Sequence, residues 1–589
     1  MQAIAAGELE KAYAIARGPN PFASICGRIC AHPCEEVCRR GKVDKNPVSI
    51  RALKRFVTEI YGVESKRLFD LGDTLRHSTA PGSLNPVKTG KKVAIIGAGP
   101  AGLACAHDLT RLGHDCTIFE AREVAGGMMI LGVPEYRLPR NLIKREVDAI
   151  LSMGVQIRYN SKLGRDYHLS DLRKEGFDAV FISIGAHESR GLDIPGTELD
   201  GVINGVEFLL NANLGYKVDL GEKVIVIGGG NVAVDIARTA RRLGEESMPK
   251  GHAIGAVSET REDIEAALDM ARSALRIGAR QVVMVCLESR NKMPAWEWEI
   301  EEATEEGVIL ACSKGPKRIV GKHGKVLGLE TMNVRSMLDE TGRFNPSYHE
   351  GSEHLLEGDT IILAIGQASD LSWIQEKDGI ETTARGLLKV DPETLATTAP
   401  GVYAGGDVAF GPRIVIDAVA NGQRAARSIE KYLKKELRVK SVWKSEGVIH
   451  EMPENFDAIP RQKPPVIDIN RRTGIGEVET PYSEENALLE SSRCYRCNIN
   501  TIFSSSKCIL CGGCADVCPE FCLKLIDIRQ MREDKRLEKV VRARYGTDQP
   551  RGSAIIKDDE RCIRCGLCAK RCPTGAITME RFEEEEVLV

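Results

Sequence analysis

The sequence has no run of about 18 apolar residues, the length a helix needs to cross the hydrocarbon core of a bilayer. It also lacks an excess of either charge. Its 81 Lys and Arg face 84 Asp and Glu, a formal net charge of −3, so no general electrostatic attraction to nucleic acid is expected. The opening MQAIAAGELEKAYAIARGPNPF has no basic stretch followed by an apolar one, which argues against a secretory signal. With 42% hydrophobic and 28% charged residues, the 589-residue chain is neither disordered nor collagen-like. These absences leave a cytoplasmic protein of roughly four folded units, with no membrane span and no nucleic-acid partner.

Cysteine, by contrast, is abundant and clustered. Of 19 cysteines, four lie at Cys26, Cys30, Cys34 and Cys38, and eleven fall between Cys494 and Cys572. Cys105, Cys116, Cys286 and Cys312 stand between the two groups in apolar or helical settings, as expected of inert buried thiols. In a cytoplasmic chain such clustering points to metal or redox chemistry rather than to disulfides.

The C-terminal group carries the most specific pattern. CILCGGCADVCP supplies Cys508, Cys511, Cys514 and Cys518, and CIRCGLCAKRCP supplies Cys562, Cys565, Cys568 and Cys572. Each is a C-x2-C-x2-C-x3-C-P run, which resembles the bacterial ferredoxin arrangement for two 4Fe-4S clusters. Zinc, the competing metal, favours closed tetrahedra built from paired C-x2-C elements. The ferredoxin resemblance implies that the cysteine before each proline crosses to the other cluster. One cluster would then use Cys508, Cys511, Cys514 and Cys572, and the other Cys562, Cys565, Cys568 and Cys518. Cys494, Cys497 and Cys522 are open to three readings: a partial ligand set, a redox pair, or no role.

Near the N-terminus, CGRICAHPCEEVC spaces its cysteines four apart, on one face of a helix unless Pro33 bends it. Four cysteines in thirteen residues favour a cluster over buried thiols, with His32 as a spacer. NPFASICGRICAHPCEEVCRRG followed by IRALKRF resembles the iron–sulfur segment of glutamate synthase small subunits and their relatives, among them flavoprotein subunits of electron-bifurcating transhydrogenases. The resemblance extends over nearly the whole chain. It departs from the family at Cys26 and in lacking an earlier cysteine-bearing arm, so one local 4Fe-4S cluster is expected here, and three in the whole chain.

Two glycine turns sit between these ends. KKVAIIGAGPAGLACAHDL places Gly97, Gly99 and Gly102 between a strand and a helix, with Glu120 at the end of the next strand to accept ribose hydroxyls. A helix N-terminus after such a turn favours the diphosphate charge. TTAPGVYAGGDVAFGP, with Gly405, Gly406 and Asp407, resembles the flavoprotein motif whose aspartate meets the FAD ribityl chain, and GGMMILGVPEYRLP, with Gly127, matches the family segment around the same FAD. The second turn, in EKVIVIGGGNVAVDIA, has Gly228, Gly230 and Ala233, a variant common in the nicotinamide domains of this family. NADP-using relatives commonly carry paired arginines where this chain reads CLESRNK. Glu288 takes one of those places and Arg290 remains nearby, so the choice between NAD and NADP stays open.

The expected fold class is α/β. Two Rossmann-like domains, the FAD domain split by an inserted NAD(P) domain, follow a helical iron–sulfur domain and precede an α+β ferredoxin-like one. The boundaries read as 1–80 for the helical domain, 91–200 and 375–436 for the FAD domain, and 201–374 for the NAD(P) domain. Residues 437–499 read as a polar linker bearing a cysteine pair, and 500–589 as the ferredoxin-like domain. A hydride carries two electrons and a cluster one, so FAD is the required converter and no side chain need act as acid or base. The expected function is an NAD(P)H-, FAD- and iron–sulfur-dependent oxidoreductase subunit working with ferredoxin or companion flavoprotein and iron–sulfur subunits, as in a bifurcating transhydrogenase. Two alternatives are a small subunit feeding glutamate synthase or another reductase, and a non-catalytic wiring subunit. A thioredoxin-reductase role is disfavoured, because neither glycine-rich domain contains C-x-x-C. The basic stretch 529–544 reads as a solvated face or a dock for an acidic partner, and EEEE at 583–586 as an exposed tail.

Overall fold

The computed structural model describes residues 1–65, 87–216, 218, 220–243, 279–435, 439–452, 455–472, 474–530, 539, 542–543, 546 and 552–588. Residues 245–275, which in the sequence read as an insertion near the second glycine turn, and most of the basic stretch 529–544 lie outside the described residues.

Two parallel sheets form the centre. The first runs in the order Val402–Ala404, Ala179–Ile182, Lys92–Ile96, Asp115–Phe119, Gln156–Arg158. The second runs Val202–Asn204, Thr360–Leu363, Lys223–Ile227, Gln281–Val285, Ile309–Ala311. Their central strands, such as VAII and VIVI, are unbroken apolar runs because both faces are covered. Val402–Ala404 pairs with Ala179–Ile182, so a late segment completes a sheet begun some 300 residues earlier. The chain leaves and re-enters that unit through a two-stranded antiparallel link, Glu188–Ser189 with Gln367–Ala368. An antiparallel group, Lys314–Lys322, Lys325–Leu338, Phe344–Tyr348 and His354–Glu357, extends the second unit.

The N-terminal region is a set of short helices, of which Leu9–Arg17, Ala23–Ile29 and Ile50–Tyr61 carry most of its packing. At the other end, Leu523–Asp527 pairs with Ser553–Lys557 beside the helices Gly513–Asp516 and Leu567–Arg571. The α/β centre, helical start and mixed α+β end follow the expected class. No helix among the described residues is long and apolar enough to cross a membrane.

Residues 437–499 are more than a linker. Val439–Gly447 pairs along Ile577–Leu588, which makes the EEEE run part of a strand rather than a loose tail; Lys444 meets Glu585 there. Further on, Glu477 and Glu479 answer the half-buried or buried guanidinium groups of Arg28, Arg51 and Arg55. Helix Glu484–Ser492 then packs on the helices Gln2–Ala5 and Ile50–Tyr61. The segment is polar because its carboxylates neutralise arginines that burial would otherwise penalise.

The helical region is fixed to the flavin-type unit by Arg17 and Glu146, both fully buried and directly paired. The other Glu146 oxygen accepts the Ser24 N–H at 3.1 Å. Removing one partner strands a buried charge, so Arg17→Ala is expected to cost about 3–5 kcal/mol. Thermal unfolding followed by circular dichroism reads this as a lowered Tm, and an unshifted Tm would contradict the docking role.

Candidate functional site

The first glycine turn owes its shape to close backbone contacts. Gly97 has φ +101°, and a Cβ there would lie 2.6 Å from the Ser183 carbonyl oxygen. A Cβ on Gly102 would lie 2.1 Å from the Gly97 carbonyl oxygen. Only glycine lets the helix Pro100–Arg111 press this closely on its strand. Glu120, 8% exposed, accepts the Ala98 N–H at 2.8 Å and the Arg122 N–H at 3.0 Å, which sets its carboxylate against the turn. Burial raises its pKa above the usual carboxylate range.

A cavity of about 600 Å³ opens here. Gly97, Gly99, Glu120, Gly127, Gly406 and Asp407, all anticipated as flavin contacts, line it. Asp407 accepts the Arg413 N–H at 3.1 Å, and burial pushes its pKa up to about 6. The opposite wall comes from the second unit, with Asn231, Trp296, Trp298 and Glu299. A third wall comes from the N-terminal helices, with Ile29 and Ala31, the neighbours of Cys30. Sequence reasoning missed these walls, and no local motif marks them.

The two units are clamped across this cavity. Arg137, within the 126–139 segment, meets Asp235 at 2.6 Å and Glu299 at 2.5 Å, and its guanidinium stands 5.8 Å from the Trp298 ring centre. Arg238 and Arg242 flank the neighbouring Tyr136 ring and pair with Glu306. The His32 ring, between Cys30 and Cys34, lies 6.2 Å from Trp298.

The second turn repeats the first. Gly228 has φ +150°, with the Ala364 carbonyl oxygen 2.4 Å from where a Cβ would sit, and Ala233 packs directly beneath it. Gly230 caps the helix Asn231–Arg242. Beyond the next strand the Glu288 carboxylate reaches back over the turn: a Cβ on Gly229 would lie 2.8 Å from its Oε2. Arg290 is held away in a bidentate pair with Glu297, at 2.7 and 2.8 Å.

Among the N-terminal cysteines, the Lys54 ammonium favours the thiolate of each of Cys26, Cys30 and Cys34, and the Cys26–Cys30 hydrogen bond raises the first thiol's pKa and lowers the second's. Cys38, grouped with them in sequence, lies beside Cys494 and Cys497. In the terminal region, Cys562, Cys565, Cys568 and Cys518 line one small cavity together with Cys522. Cys508 and Cys511 lie close to Cys514, and the Cys572 sulfur accepts the Ala576 N–H at 3.2 Å. Clustered thiols on tight turns, with few competing donors, suit iron–sulfur ligation.

The fold and site together define an FAD- and NAD(P)H-dependent oxidoreductase carrying iron–sulfur domains at both ends. The chain belongs to the pyridine nucleotide-disulphide oxidoreductase family, whose profile matches residues 91–422. Residues 1–65 match dihydropyrimidine dehydrogenase domain II, 4Fe-4S cluster, and residues 507–576 match the 4Fe-4S dicluster domain. Its cofactors are FAD, NAD(P)H and up to three 4Fe-4S clusters in these domains.

Among curated proteins, the chain is 38% identical to the NADP(+)-dependent formate dehydrogenase subunit beta of Moorella thermoacetica, over 84% of this chain and 68% of that protein. It is 34% identical to the NADPH-Fe(3+) oxidoreductase subunit beta of Geobacter sulfurreducens, over 84% of this chain and 72% of that one. The glutamate synthase [NADPH] small chain of Azospirillum brasilense is 29% identical, over 73% of this chain and 82% of its own length.

Gly102→Ala forces the helix off its strand, an overpacking that costs about 1–3 kcal/mol. FAD content per protein, read from flavin absorbance after purification, is expected to drop about tenfold. Full retention would remove this turn from the flavin site.

Proposed function

We propose that this chain is the NADH-reactive iron–sulfur flavoprotein subunit of a hetero-oligomeric redox complex, exchanging single electrons with ferredoxin or with companion flavoprotein and iron–sulfur subunits. One observation carries the reading: a single cavity has walls from both glycine-turn units and from the residues flanking Cys30. When bound, FAD supplies the conversion of a two-electron hydride into single electrons that clusters carry.

The chain's own groups bind and orient. The glycine turn, Glu120 and Asp407 hold the flavin nucleotide, and the Arg137 clamp holds the second unit across from it. Trp296 and Trp298 close the cavity against water where the two units meet. The C-terminal ferredoxin-like cysteines give electrons an exit from the chain or an entry to it. The named relatives are beta or small subunits of larger enzymes, which favours a subunit that exchanges reducing equivalents with partners over a free-standing wiring module. A bifurcating transhydrogenase is the arrangement of such a complex that uses every one of these parts, ferredoxin included.

The relatives are named for NADP(H), but Glu288 supports NAD(H) in this chain. A carboxylate against the turn accepts ribose hydroxyls and repels a 2′-phosphate, while Arg290 is committed to Glu297. Anaerobic flavin bleaching is therefore expected at lower NADH than NADPH. Glu288→Ala should weaken NADH by about tenfold and narrow the gap, as loss of a charged hydrogen bond of about 1.5 kcal/mol requires. A wild-type preference for NADPH would overturn the assignment.

The exit route has its own test. Cys508→Ser is expected to retain flavin bleaching by NADH and to lose ferredoxin reduction. Unchanged ferredoxin reduction would place the exit elsewhere.

A further inference from the structure

The region around Cys38 contains a construction that neither the central domains nor the two assigned iron–sulfur domains account for. Cys38 caps the helix Arg39–Asp44, and its extended backbone separates that helix from the short helix Pro33–Glu36 that carries Cys34. Together with Cys494 it packs on an apolar cluster that includes Ile4, Tyr13, Leu53 and Tyr482. The two segments are laced together at this point. Arg40 donates to the Arg493 carbonyl at 3.1 Å, and its guanidinium stands 5.4 Å from the Tyr495 ring centre. Arg493 answers by donating to the Asn46 carbonyl at 2.7 Å and the Pro47 carbonyl at 3.2 Å. More than 450 residues apart in sequence, Cys38 and the Cys494–Cys497 loop are held side by side.

The loop has a distinctive backbone. In Cys494-Tyr495-Arg496-Cys497 the residue before the second cysteine is left-handed, with Arg496 at φ 51°. The same position is left-handed in both ferredoxin-type loops, with Leu510 at φ 56° and Arg564 at φ 60°. Non-glycine residues rarely adopt this region and are strained there. The three C-x2-C loops thus share one backbone turn, and the Arg496 N–H donates to the Cys494 sulfur at 3.4 Å.

The surroundings fit an anionic group. The guanidinium groups of Arg39 and Arg564 lie near Cys497, and the N-terminal ammonium lies near Cys494. Arg39 also donates to the Cys562 carbonyl at 3.3 Å, which places the site against the second ferredoxin-type loop. Zinc would need a closed set of ligands around one ion. Among the described residues no three potential ligands converge that tightly. The same holds for the cysteines of the matched dicluster region.

We propose that Cys38, Cys494 and Cys497 hold a fourth iron–sulfur cluster, a relay between the first cysteine group and the ferredoxin-like domain. Three thiolates bind it, so one corner is left to a non-cysteine ligand or to no iron at all. Cys26, Cys30 and Cys34 remain as the thiolates of the first cluster. The relay step is one electron in and one electron out, with no bond formed or broken. Its role as a relay rests on the electron-transfer reading above; the existence of the site does not.

Iron, acid-labile sulfide and FAD are measured on the anaerobically purified full chain, with EPR spectra after dithionite reduction. Wild type is expected to hold about 15 or 16 iron atoms per FAD rather than about 12. Cys38→Ala and Cys497→Ala should lose the same EPR signal and about a quarter of the iron, and the double variant should lose no more than either. Cys30→Ala should lose a different signal. The proposal is overturned if Cys497→Ala keeps all its iron and every signal, if the metal lost is zinc, or if Cys38→Ala removes the signal that Cys30→Ala removes. FAD content checks each variant's fold; if a variant loses FAD as well, the wild-type iron-to-FAD ratio decides alone. Flavin bleaching by NADH reads the function separately, so either conclusion can fail without the other.

Discussion

Electrons move between redox groups only when those groups are held close together. In this chain the buried arginine–carboxylate pairs between the N-terminal helices and their neighbours impose that closeness. Arg17 with Glu146 fixes the helical region to the first nucleotide-binding unit. Arg28, Arg51 and Arg55, answered by Glu477 and Glu479, fix it to the returning strap. Such pairs contribute modest net stability but penalise every alternative docking that leaves a charge unanswered. With this packing, Ile29 and Ala31, on either side of Cys30, stand at the cavity wall.

The same logic governs the two nucleotide-binding units. Relative motion is the default for units joined by a two-stranded link. Arg137 opposes it by bridging Asp235 and Glu299 across the boundary, beside the Tyr136 ring held between two arginines. The clamp comes from the 126–139 segment, which also lines the flavin side of the cavity through Gly127 and Met129. Any swing of the second unit must therefore break charged contacts at the cavity wall.

The cysteine-bearing ends are less separate than their positions in the chain suggest. The strand Val439–Gly447 and the terminal strand Ile577–Leu588 tie the ferredoxin-like end to the strap, and the strap ties it to the N-terminal helices. Arg39 touches Cys562 directly. Start and finish of the chain thus form one body beside the nucleotide-binding core.

Local sequence was enough to determine both glycine turns, the α/β class and the ferredoxin-like runs. Each depends on contacts within about 30 residues: a strand feeding a turn and helix, or thiols spaced along one tight loop. Gly97, Gly99, Glu120, Gly406 and Asp407 line one cavity because Val402–Ala404 joins the sheet of the first glycine turn, an arrangement that the resemblance of TTAPGVYAGGDVAFGP to a flavoprotein motif already implied. The nearness of Cys38 to Cys494 was not legible, because cysteines four apart read as one set until the helix carrying Cys34 ends at Val37 and Cys38 starts the next one. Nor were the tryptophan wall, the Arg137 clamp or the strap legible. Those contacts join residues hundreds of positions apart, and charge and burial choose such partners only once the whole chain is packed.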